Sequence, residues 1–235
     1  MTRTLVVTGT GTEIGKTYIS AAIARQLRAR GETVEATKPV SSGCEADDQG
    51  RLWSPDGREL LAACGYDPDD WAAHQRLCLE RFAEPMSPHM AADRAGRILS
   101  LKMLTGYCES LEGETDGCVL AEGVGGVMVP LTDSTTFLDW MRDLQWPALL
   151  VAGTYLGTLS HTLTALRCLK DAGVPLAGLV LNRSAEEPVP AEETRRTLSF
   201  FHPDVPVAVV PRAAEGETAP ELPDLVEAFG IGRGE

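Results

Sequence analysis

An apolar run passes directly into a glycine-rich turn in the sequence Thr4-Leu5-Val6-Val7-Thr8-Gly9-Thr10-Gly11-Thr12-Glu13-Ile14-Gly15-Lys16-Thr17. Residues 4–8 predict a buried strand, and residues 16–30 carry apolar side chains at a helical spacing. Gly31 predicts the end of that helix. A strand that leads through glycines into a helix N-terminus presents backbone N–H groups to an anion. The segment therefore predicts a phosphate-binding loop.

The turn is one residue longer than the general phosphate-loop motif. That motif separates its two outer glycines by four residues, whereas five residues lie between Gly9 and Gly15. Lys16 is predicted to reach the β- and γ-phosphates of a nucleotide, and the hydroxyl of Thr17 to bind Mg²⁺. The alternative is an ordinary glycine-rich helix start with a capping threonine. The order of strand, turn and helix, with the Gly-Lys-Thr ending, favours the phosphate loop.

Further apolar runs predict an α/β fold of the P-loop NTPase type. The predicted strands cover residues 33–37, 118–121, 148–152, 176–181 and 205–210, and the predicted helices cover residues 59–64, 99–111 and 159–169. Such alternation is typical of a parallel sheet flanked by helices on both faces. Residues 41–57 are predicted to form a loop and residues 213–224 an irregular tail. No clear linker divides the chain, so residues 1–235 are expected to form a single domain.

Four polar residues follow predicted strands, namely Lys38, Glu122, Asn182 and Arg212. Ligands of parallel sheets bind at the carboxyl ends of the strands, so these residues are expected to converge beside the glycine-rich turn. Lys38 could neutralise charge on a transferring phosphoryl group, or it could form a structural ion pair. Glu122 precedes a glycine-rich segment and is a candidate metal ligand, with a helix-cap or salt-bridge role as the alternative.

A metal site for phosphoryl transfer also needs a second carboxylate. The acids of the predicted loop are Glu45, Asp47, Asp48 and Asp56. Composition does not choose among them.

Composition narrows the class of partner. The chain has 235 residues, 43% of them apolar, and a formal net charge of -13. An acidic chain repels phosphate backbones, so no nucleic acid partner is expected. No apolar run is long enough to span a membrane. The six cysteines are scattered without a C-x-x-C pair, which is typical of reduced thiols and predicts a cytoplasmic protein.

These residues together resemble the dethiobiotin synthetase family. The matching segments are residues 8–17, Lys38-Pro39-Val40-Ser41-Ser42-Gly43, Phe82-Ala83-Glu84-Pro85-Met86-Ser87-Pro88-His89, Glu122-Gly123-Val124-Gly125-Gly126 and Leu156-Gly157-Thr158-Leu159-Ser160-His161. The A-E-P-x-S-P-H piece is the most specific, because generic phosphate-loop proteins lack it. The longer phosphate loop is the form that this family has, and the likeness extends to about Pro211.

The resemblance implies an ATP- and Mg²⁺-dependent ligase of biotin biosynthesis. It implies closure of the ureido ring of dethiobiotin from 7,8-diaminononanoate and CO₂. One amine would form a carbamate, ATP would convert it to a carbamic–phosphoric anhydride, and the second amine would attack. No nucleophilic side chain is then required. The resemblance also implies a homodimer whose active site lies across the interface.

Carried over position by position, the resemblance implies four sets of site residues. The catalytic residues would be Lys16, Lys38 and Thr12. The nucleotide would be bound by Gly11, Thr12, Glu13, Ile14, Gly15, Lys16, Thr17, Asn182 and Pro211. The metal would be held by Thr17, Asp56 and Glu122. The substrate would be held by Thr12, Lys38, Ser42 and Ser160.

Two positions depart from the family pattern, since Ser160 replaces a usual Asn and Gly11 replaces a frequent Asp.

The alternative function is a nucleotide-switch P-loop ATPase of the partitioning type. Those proteins carry a further lysine five residues before the loop lysine, and this chain has Gly11 there. The sequence therefore favours the synthetase.

Overall fold

The computed structural model describes residues 2–212 and 220–232. The strands of the described residues are β1 (Arg3–Gly9), β2 (Val34–Thr37), β3 (Val40–Ser42), β4 (Glu45–Ala46), β5 (Leu52–Trp53), β6 (Glu80–Phe82), β7 (Cys118–Glu122), β8 (Ala148–Ala152), β9 (Leu176–Asn182) and β10 (Val207–Val210). The helices are α1 (Lys16–Ala29), α2 (Pro55–Cys64), α3 (Trp71–Leu77), α4 (Pro88–Arg94), α5 (Leu101–Glu114), α6 (Phe137–Leu144), α7 (Thr158–Asp171), α8 (Ala191–Phe201) and α9 (Leu225–Ala228).

The main sheet has six strands in the order β10-β9-β8-β1-β7-β2. All of its pairings are parallel, and β1 lies between β7 and β8. Because all six strands run the same way, their carboxyl ends lie at one edge of the sheet. The glycine-rich loop follows β1 and therefore opens near the middle of that edge. Two small sheets, β3-β6 and β4-β5, complete the strand pairing.

Both faces of the sheet are covered by helices. Alternate residues of a strand point to opposite faces, so Leu5 and Val7 of β1 enter one core while Val6 enters the other. The first core is closed by apolar residues of α1, α2 and α9, and the second by those of α5, α6, α7 and α8. The prediction of a parallel sheet flanked by helices on both faces is confirmed. Among the described residues, no helix is long and apolar enough to cross a membrane.

The prediction of a loop over residues 41–57 is wrong. This segment holds β4 and β5, which pair as a hairpin, and α2 begins at Pro55. The hairpin is folded by Asp47, whose carboxylate accepts hydrogen bonds from the backbone N–H of Arg51 and from the indole of Trp53, each at 2.9 Å. The polar residues that suggest a loop thus include Asp47, whose hydrogen bonds close a short hairpin.

Several short elements are absent from the sequence-based prediction. The helices α3, α4 and α6 have seven or eight residues each, which is about two turns and too few to show a clear periodicity. The predicted strand over residues 205–210 begins at Val207. Residues 220–224 of the predicted tail are irregular, and residues 213–219 lie outside the described residues. The single domain over residues 1–235 stays a prediction.

Candidate active site

The start of the glycine-rich loop is anchored to β8 on one side and to the segment after β7 on the other. The backbone N–H of Thr10 donates to the carbonyl of Val151 in β8 at 3.0 Å. On the other side, the N–H of Val127 donates to the carbonyl of Gly9 at 3.0 Å. These two bonds hold the start of the loop at the sheet edge, so the loop is a fixed cradle between β1 and α1.

The end of the loop requires a glycine and a neighbouring amide. Gly15 has a φ of 91°, and a Cβ at this position would collide with the Asn182 amide nitrogen. That amide donates to the carbonyl of Ile14 at 2.9 Å, which ties the end of β9 to the loop. Gly15 also leaves the N-terminus of α1 without a side-chain cap. The first N–H groups of α1 therefore lack a capping side chain, as a bound anion requires.

Lys16 closes the loop from within. Its ammonium donates to the carbonyl of Gly11 at 2.8 Å, and the residue is only 7% exposed. Burial and the neighbouring Lys38 lower the pKa of Lys16 to about 8, against the opposing effect of Glu122 and Asp56. A phosphate bound in the loop would restore the charge that this environment disfavours.

A charged cluster, buried except for part of Asp56, lies next to the loop. The Lys38 ammonium is 2.5 Å from the carboxylate of Asp56 and 2.7 Å from that of Glu122. The hydroxyl of Thr17 donates to the same Glu122 oxygen at 2.8 Å. Lys38 is 3% exposed and Glu122 is 1% exposed, whereas the side chain of Asp56 is 45% exposed. The charges of Lys38 and Glu122 therefore depend on each other rather than on water.

The contacts between Lys38 and the two carboxylates determine the pKa values of Lys38 and Asp56. Burial disfavours the charged form of Lys38, but Glu122 and Asp56 outweigh it and raise the pKa of Lys38 above its usual value. Burial likewise disfavours the Asp56 carboxylate, but Lys38 outweighs it and lowers the pKa of Asp56. Lys38 and Asp56 therefore form a charged pair at neutral pH.

Three separate elements bring the cluster together. Lys38 follows β2 directly, and Glu122 is the last residue of β7, the neighbouring strand. Asp56 lies in the first turn of α2, whose N-cap is Ser54. The convergence of Lys38 and Glu122 agrees with the expectation from their positions after strands. Asp56 arrives from a helix that the sequence predicts to begin later.

The support beneath Asp56 was missed by the sequence analysis. The Ser54 hydroxyl accepts a hydrogen bond from Gly57 N at 3.1 Å, and Ser54 N donates to His74 Nε2 at 2.9 Å. His74 is fully buried, and burial lowers its pKa to about 4, so it stays neutral and accepts this bond. Ser54-Pro55-Asp56 is an N-cap signature that could have placed the helix start, but nothing local indicates His74.

The oxygens of Thr17, Asp56 and Glu122 fit a Mg²⁺ ion. The second carboxylate oxygen of Glu122 is buried and has no hydrogen-bond partner in the structure. Within residues 2–212 and 220–232, no three His, Cys, Asp or Glu side chains gather as a metal cluster. Mg²⁺ is commonly held by one or two carboxylates, with water and substrate phosphates completing its shell. Two carboxylates and a hydroxyl beside a phosphate loop match that pattern.

The main cavity of the site has a volume of about 530 Å³. It is lined by Thr12, Glu13, Gly15, Lys16, Thr17, Lys38, Ser42, Asp56, Pro85, Met86, Ser87, Pro88, Val124, Gly125 and Val129. The cavity therefore brings together the predicted catalytic residues, Ser42 and two of the predicted metal residues. The third metal residue, Glu122, does not line it and is joined to it through Lys38 and Thr17. One wall is apolar, and the specific segment around Pro85 forms part of it. The cavity residues Val124 and Val129 are absent from the sequence-based prediction of the site.

A second cavity of about 230 Å³ lies on the other side of the loop. It is lined by Gly11, Thr12, Glu13, Ile14, Gly153, Tyr155, Asn182, Arg183, Ser184 and Arg212. Thr12 and Glu13 border both cavities, so the phosphate loop separates them. Pro211 is adjacent to the lining residue Arg212. Ser160 is exposed on α7 and lines neither of the two cavities.

The cysteines nearest to the matching motifs are poor nucleophiles. Cys44 and Cys118 are buried free thiols. Burial raises the pKa of both, that of Cys118 to about 12, so the reactive thiolate is scarce at neutral pH.

Replacing Cys44 and Cys118 together by serine is expected to leave turnover nearly unchanged. The Cys118 substitution should cost about 1–3 kcal/mol of stability because it buries a hydroxyl. Steady-state turnover, with thermal melting as the control for folding, measures both effects. A variant that melts cooperatively but has lost turnover would require a covalent step at one of these sulfurs.

The central parallel sheet and the loop after β1 define a phosphate-loop nucleotide-binding α/β protein. A family model described as an AAA domain matches residues 3–218. The ATP-dependent dethiobiotin synthetase BioD of Methylobacterium nodulans is 42% identical over 213 residues, which cover 89% of this chain and 93% of the relative. The protein of the same name from Caulobacter vibrioides is 39% identical over 230 residues, which cover 96% of this chain and 100% of the relative. The chain belongs to the ATP-dependent dethiobiotin synthetase family and is an ATP-dependent ligase.

Solved structures show the same fold at lower identity. The septum site-determining protein MinD of Pyrococcus horikoshii, complexed with Mg-ADP, superposes with a TM-score of 0.55 at 20% identity. The match covers 91% of this chain and 82% of that chain. At this identity the likeness concerns the fold alone.

Proposed function

We propose that this chain closes the ureido ring of dethiobiotin, using 7,8-diaminononanoate, CO₂ and ATP. The observation that carries the proposal is the charged cluster of Lys38, Asp56 and Glu122 beside a cavity bordered by the phosphate loop. The ammonium of Lys16, held inside the loop, and that of Lys38, which lines the same cavity, supply positive charge beside the position that the loop offers to a phosphoryl group. Such preorganised charge is the main requirement of phosphoryl transfer.

The nucleotide is proposed to lie across the loop. Its phosphates would bind the backbone of residues 11–17 and Lys16. Its base and ribose would occupy the second cavity beside Asn182 and Arg183, next to Pro211. The bond from the Asn182 amide to Ile14 supports this orientation, because it makes the base side and the phosphate side one connected unit.

The chemistry proceeds on the substrate amines. One amine attacks CO₂ and loses a proton, which leaves a carbamate. A carbamate oxygen attacks the γ-phosphorus, ADP departs, and a carbamic–phosphoric anhydride forms. The second amine then attacks the carbamoyl carbon and loses a proton, and phosphate leaves as the ring closes. Every bond is made by substrate atoms, so the protein supplies position and charge.

Each predicted site residue has a role in these steps. Thr12 and Ser42 would hold the amine and carbamate by hydrogen bonds, and Lys38 would balance charge on the carbamate and the transferring phosphoryl group. Lys16 would bridge the β- and γ-phosphates. Mg²⁺, held by Thr17, Asp56 and Glu122, would offset charge on the nucleotide phosphates.

The apolar wall of the main cavity supports a substrate with an alkyl chain. Met86, Val124 and Val129 line the same cavity as the charged cluster. A molecule with two amines at one end and methylene groups beyond them matches this division. The apolar contacts would position the diamine without neutralising the charges that the reaction uses.

We also propose that the enzyme is a homodimer whose active site lies across the interface. Leu156, in the turn before α7, is 84% exposed, and Ser160 in the first turns of α7 lies outside the cavity that contains Lys38. The N-cap of α7, Gly157, leaves the helix N-terminus without a side-chain cap. A partner subunit could therefore present this N-terminus and Ser160 to the substrate carboxylate. The six free thiols support a reducing compartment such as the cytoplasm.

Replacing Glu122 by glutamine is expected to raise the Mg²⁺ concentration needed for half-maximal turnover by roughly 10–100-fold, because it removes a charge from the metal shell at constant size. Titration of turnover with Mg²⁺ measures the shift. The matched control is Glu45→Gln, since Glu45 is an exposed acid on β4 that lines neither cavity. An unchanged Mg²⁺ titration in Glu122→Gln would mean that Glu122 is a structural acid.

Turnover of ATP with and without the diamine tests the proposed function against the switch ATPase. The proposal predicts that ADP forms in step with the diamine and hardly at all without it. An ATPase of the partitioning type would hydrolyse ATP at the same rate in both arms.

A further inference from the structure

The ammonium of Lys38 bridges the two carboxylates of the proposed metal-binding set. It contacts Oδ2 of Asp56 at 2.5 Å and Oε1 of Glu122 at 2.7 Å. The Thr17 hydroxyl, the remaining member of the proposed metal set, donates to that same Oε1 at 2.8 Å. A cation thus already bridges the two carboxylates, and this cation belongs to the chain itself.

An ammonium and a divalent ion cannot both hold these oxygens at contact distance. Both are positive, and at about 4 Å in a poorly hydrated site they would repel each other strongly. The Lys38–Glu122 side of the cluster is poorly hydrated, since both residues are almost completely buried, whereas the Asp56 side chain is partly exposed. A metal ion bound at these two oxygens must therefore displace Lys38 from at least one of them. A metal ion bound through the unpartnered Oε2 of Glu122 would still lie close enough to the ammonium to be repelled.

The main cavity offers the Lys38 ammonium a second position. Its side chain lines the main cavity together with Thr12 and Ser42. A lysine carries its charge on a flexible stem of four carbons, so the ammonium can swing without a backbone change. The cavity is also where the carbamate and the transferring phosphoryl group are proposed to lie, and both are anions that would accept the ammonium.

We propose that Lys38 and Mg²⁺ compete for Asp56 and Glu122, so that Lys38 reaches the substrate only after the metal has replaced it. This inference rests on the proposed function, because it takes Thr17, Asp56 and Glu122 as the metal set. Lys38 then has two positions. In the absence of metal its ammonium binds Asp56 and Glu122, and in the presence of metal it contacts the anions of the substrates. Without metal, Lys38 stays bound to the carboxylates and the substrate anions lack its charge.

The competing explanation makes the opposite prediction. If Lys38 only preorganises the two carboxylates and never leaves them, its removal must weaken metal binding. If Lys38 competes with the metal, its removal must strengthen binding, because the apparent affinity of a ligand falls with the fraction of protein that is free to bind it.

The test measures binding of Mn²⁺, as a spectroscopic probe for Mg²⁺, to the full chain in the presence of ADP. Electron paramagnetic resonance gives the free Mn²⁺ concentration. Lys38→Met is expected to bind Mn²⁺ at least about tenfold more tightly than the unsubstituted chain. The control is Lys170→Met, an exposed lysine in the last turn of α7, which should leave the affinity unchanged. Equal or weaker binding by folded Lys38→Met overturns the inference.

A second measurement needs no substitution at Lys38, whose loss could unfold the site by leaving the buried Glu122 and the half-buried Asp56 without their cation. Reductive methylation of the unsubstituted chain, followed by peptide mass spectrometry, reports the reactivity of each lysine. With ADP in both arms, adding Mg²⁺ should speed labelling of Lys38 several-fold relative to labelling of Lys170. An unchanged or slower rate overturns the inference. Failure of the unsubstituted chain to bind Mn²⁺ with ADP would instead refute the proposed metal site.

Discussion

Replacing Lys16 by alanine is expected to lower turnover by roughly 10²–10³-fold, which corresponds to about 3–4 kcal/mol of transition-state stabilisation. The ammonium is held inside the loop, on the carbonyl of Gly11, and is largely shielded from water. Charge fixed in this way costs no reorganisation when the phosphoryl group moves. Water that entered the gap left by alanine could not reproduce its position.

Steady-state turnover at saturating ATP and diamine measures the loss. Lys170→Ala is the control, because that lysine is exposed on α7. Thermal melting with and without ADP separates a folding defect from a catalytic one. A folded Lys16→Ala enzyme within threefold of the unsubstituted rate would contradict the assignment of the phosphate loop.

Mixing two inactive variants is expected to restore activity if the site is shared between subunits. Lys38→Met removes the charge at the reaction end of the site, and Ser160→Trp blocks the end proposed to hold the substrate carboxylate. In a mixed dimer, one site carries both lesions and the other carries neither. Random mixing makes half of the dimers mixed, so about a quarter of the normal activity should return.

Native mass spectrometry establishes that mixed dimers have formed, and each variant alone provides the background rate. If every chain held a complete site, each site would keep one lesion and mixing would restore nothing. That result, with mixed dimers present, would rule out the shared site. It would leave the reaction itself unaffected, because the phosphate loop and Lys38 lie on one chain.

The parts of the site that follow directly from strand ends were predictable from the sequence. Lys38 comes after β2 and Glu122 ends β7, and the two strands are neighbours in the sheet. Parallel strands end at one edge, so their meeting needs only the period of the apolar runs and the strand order. The phosphate loop was predictable for the same reason, since its strand, turn and helix are contiguous in the chain.

Asp56 could not be identified as a site residue from the sequence around it. Four acids stand in the segment predicted as a loop, and composition alone does not separate them. Asp47 accepts hydrogen bonds within the β4-β5 hairpin, whereas Asp56 lies in the first turn of α2, which is capped by Ser54. The helix start is held by His74, which is 20 residues away in sequence. Such a contact depends on tertiary packing, so no window of sequence around Asp56 contains it.

Mass spectrometry of the product tests whether this chain closes the ureido ring of dethiobiotin. The full chain is incubated with 7,8-diaminononanoate, ATP, Mg²⁺ and ¹³C-labelled bicarbonate. Ring closure predicts dethiobiotin that carries one labelled carbon, formed in equal amounts with ADP and phosphate and absent when any component is omitted. ADP formation with the diamine recovered unchanged, or a product without the label, would contradict the account.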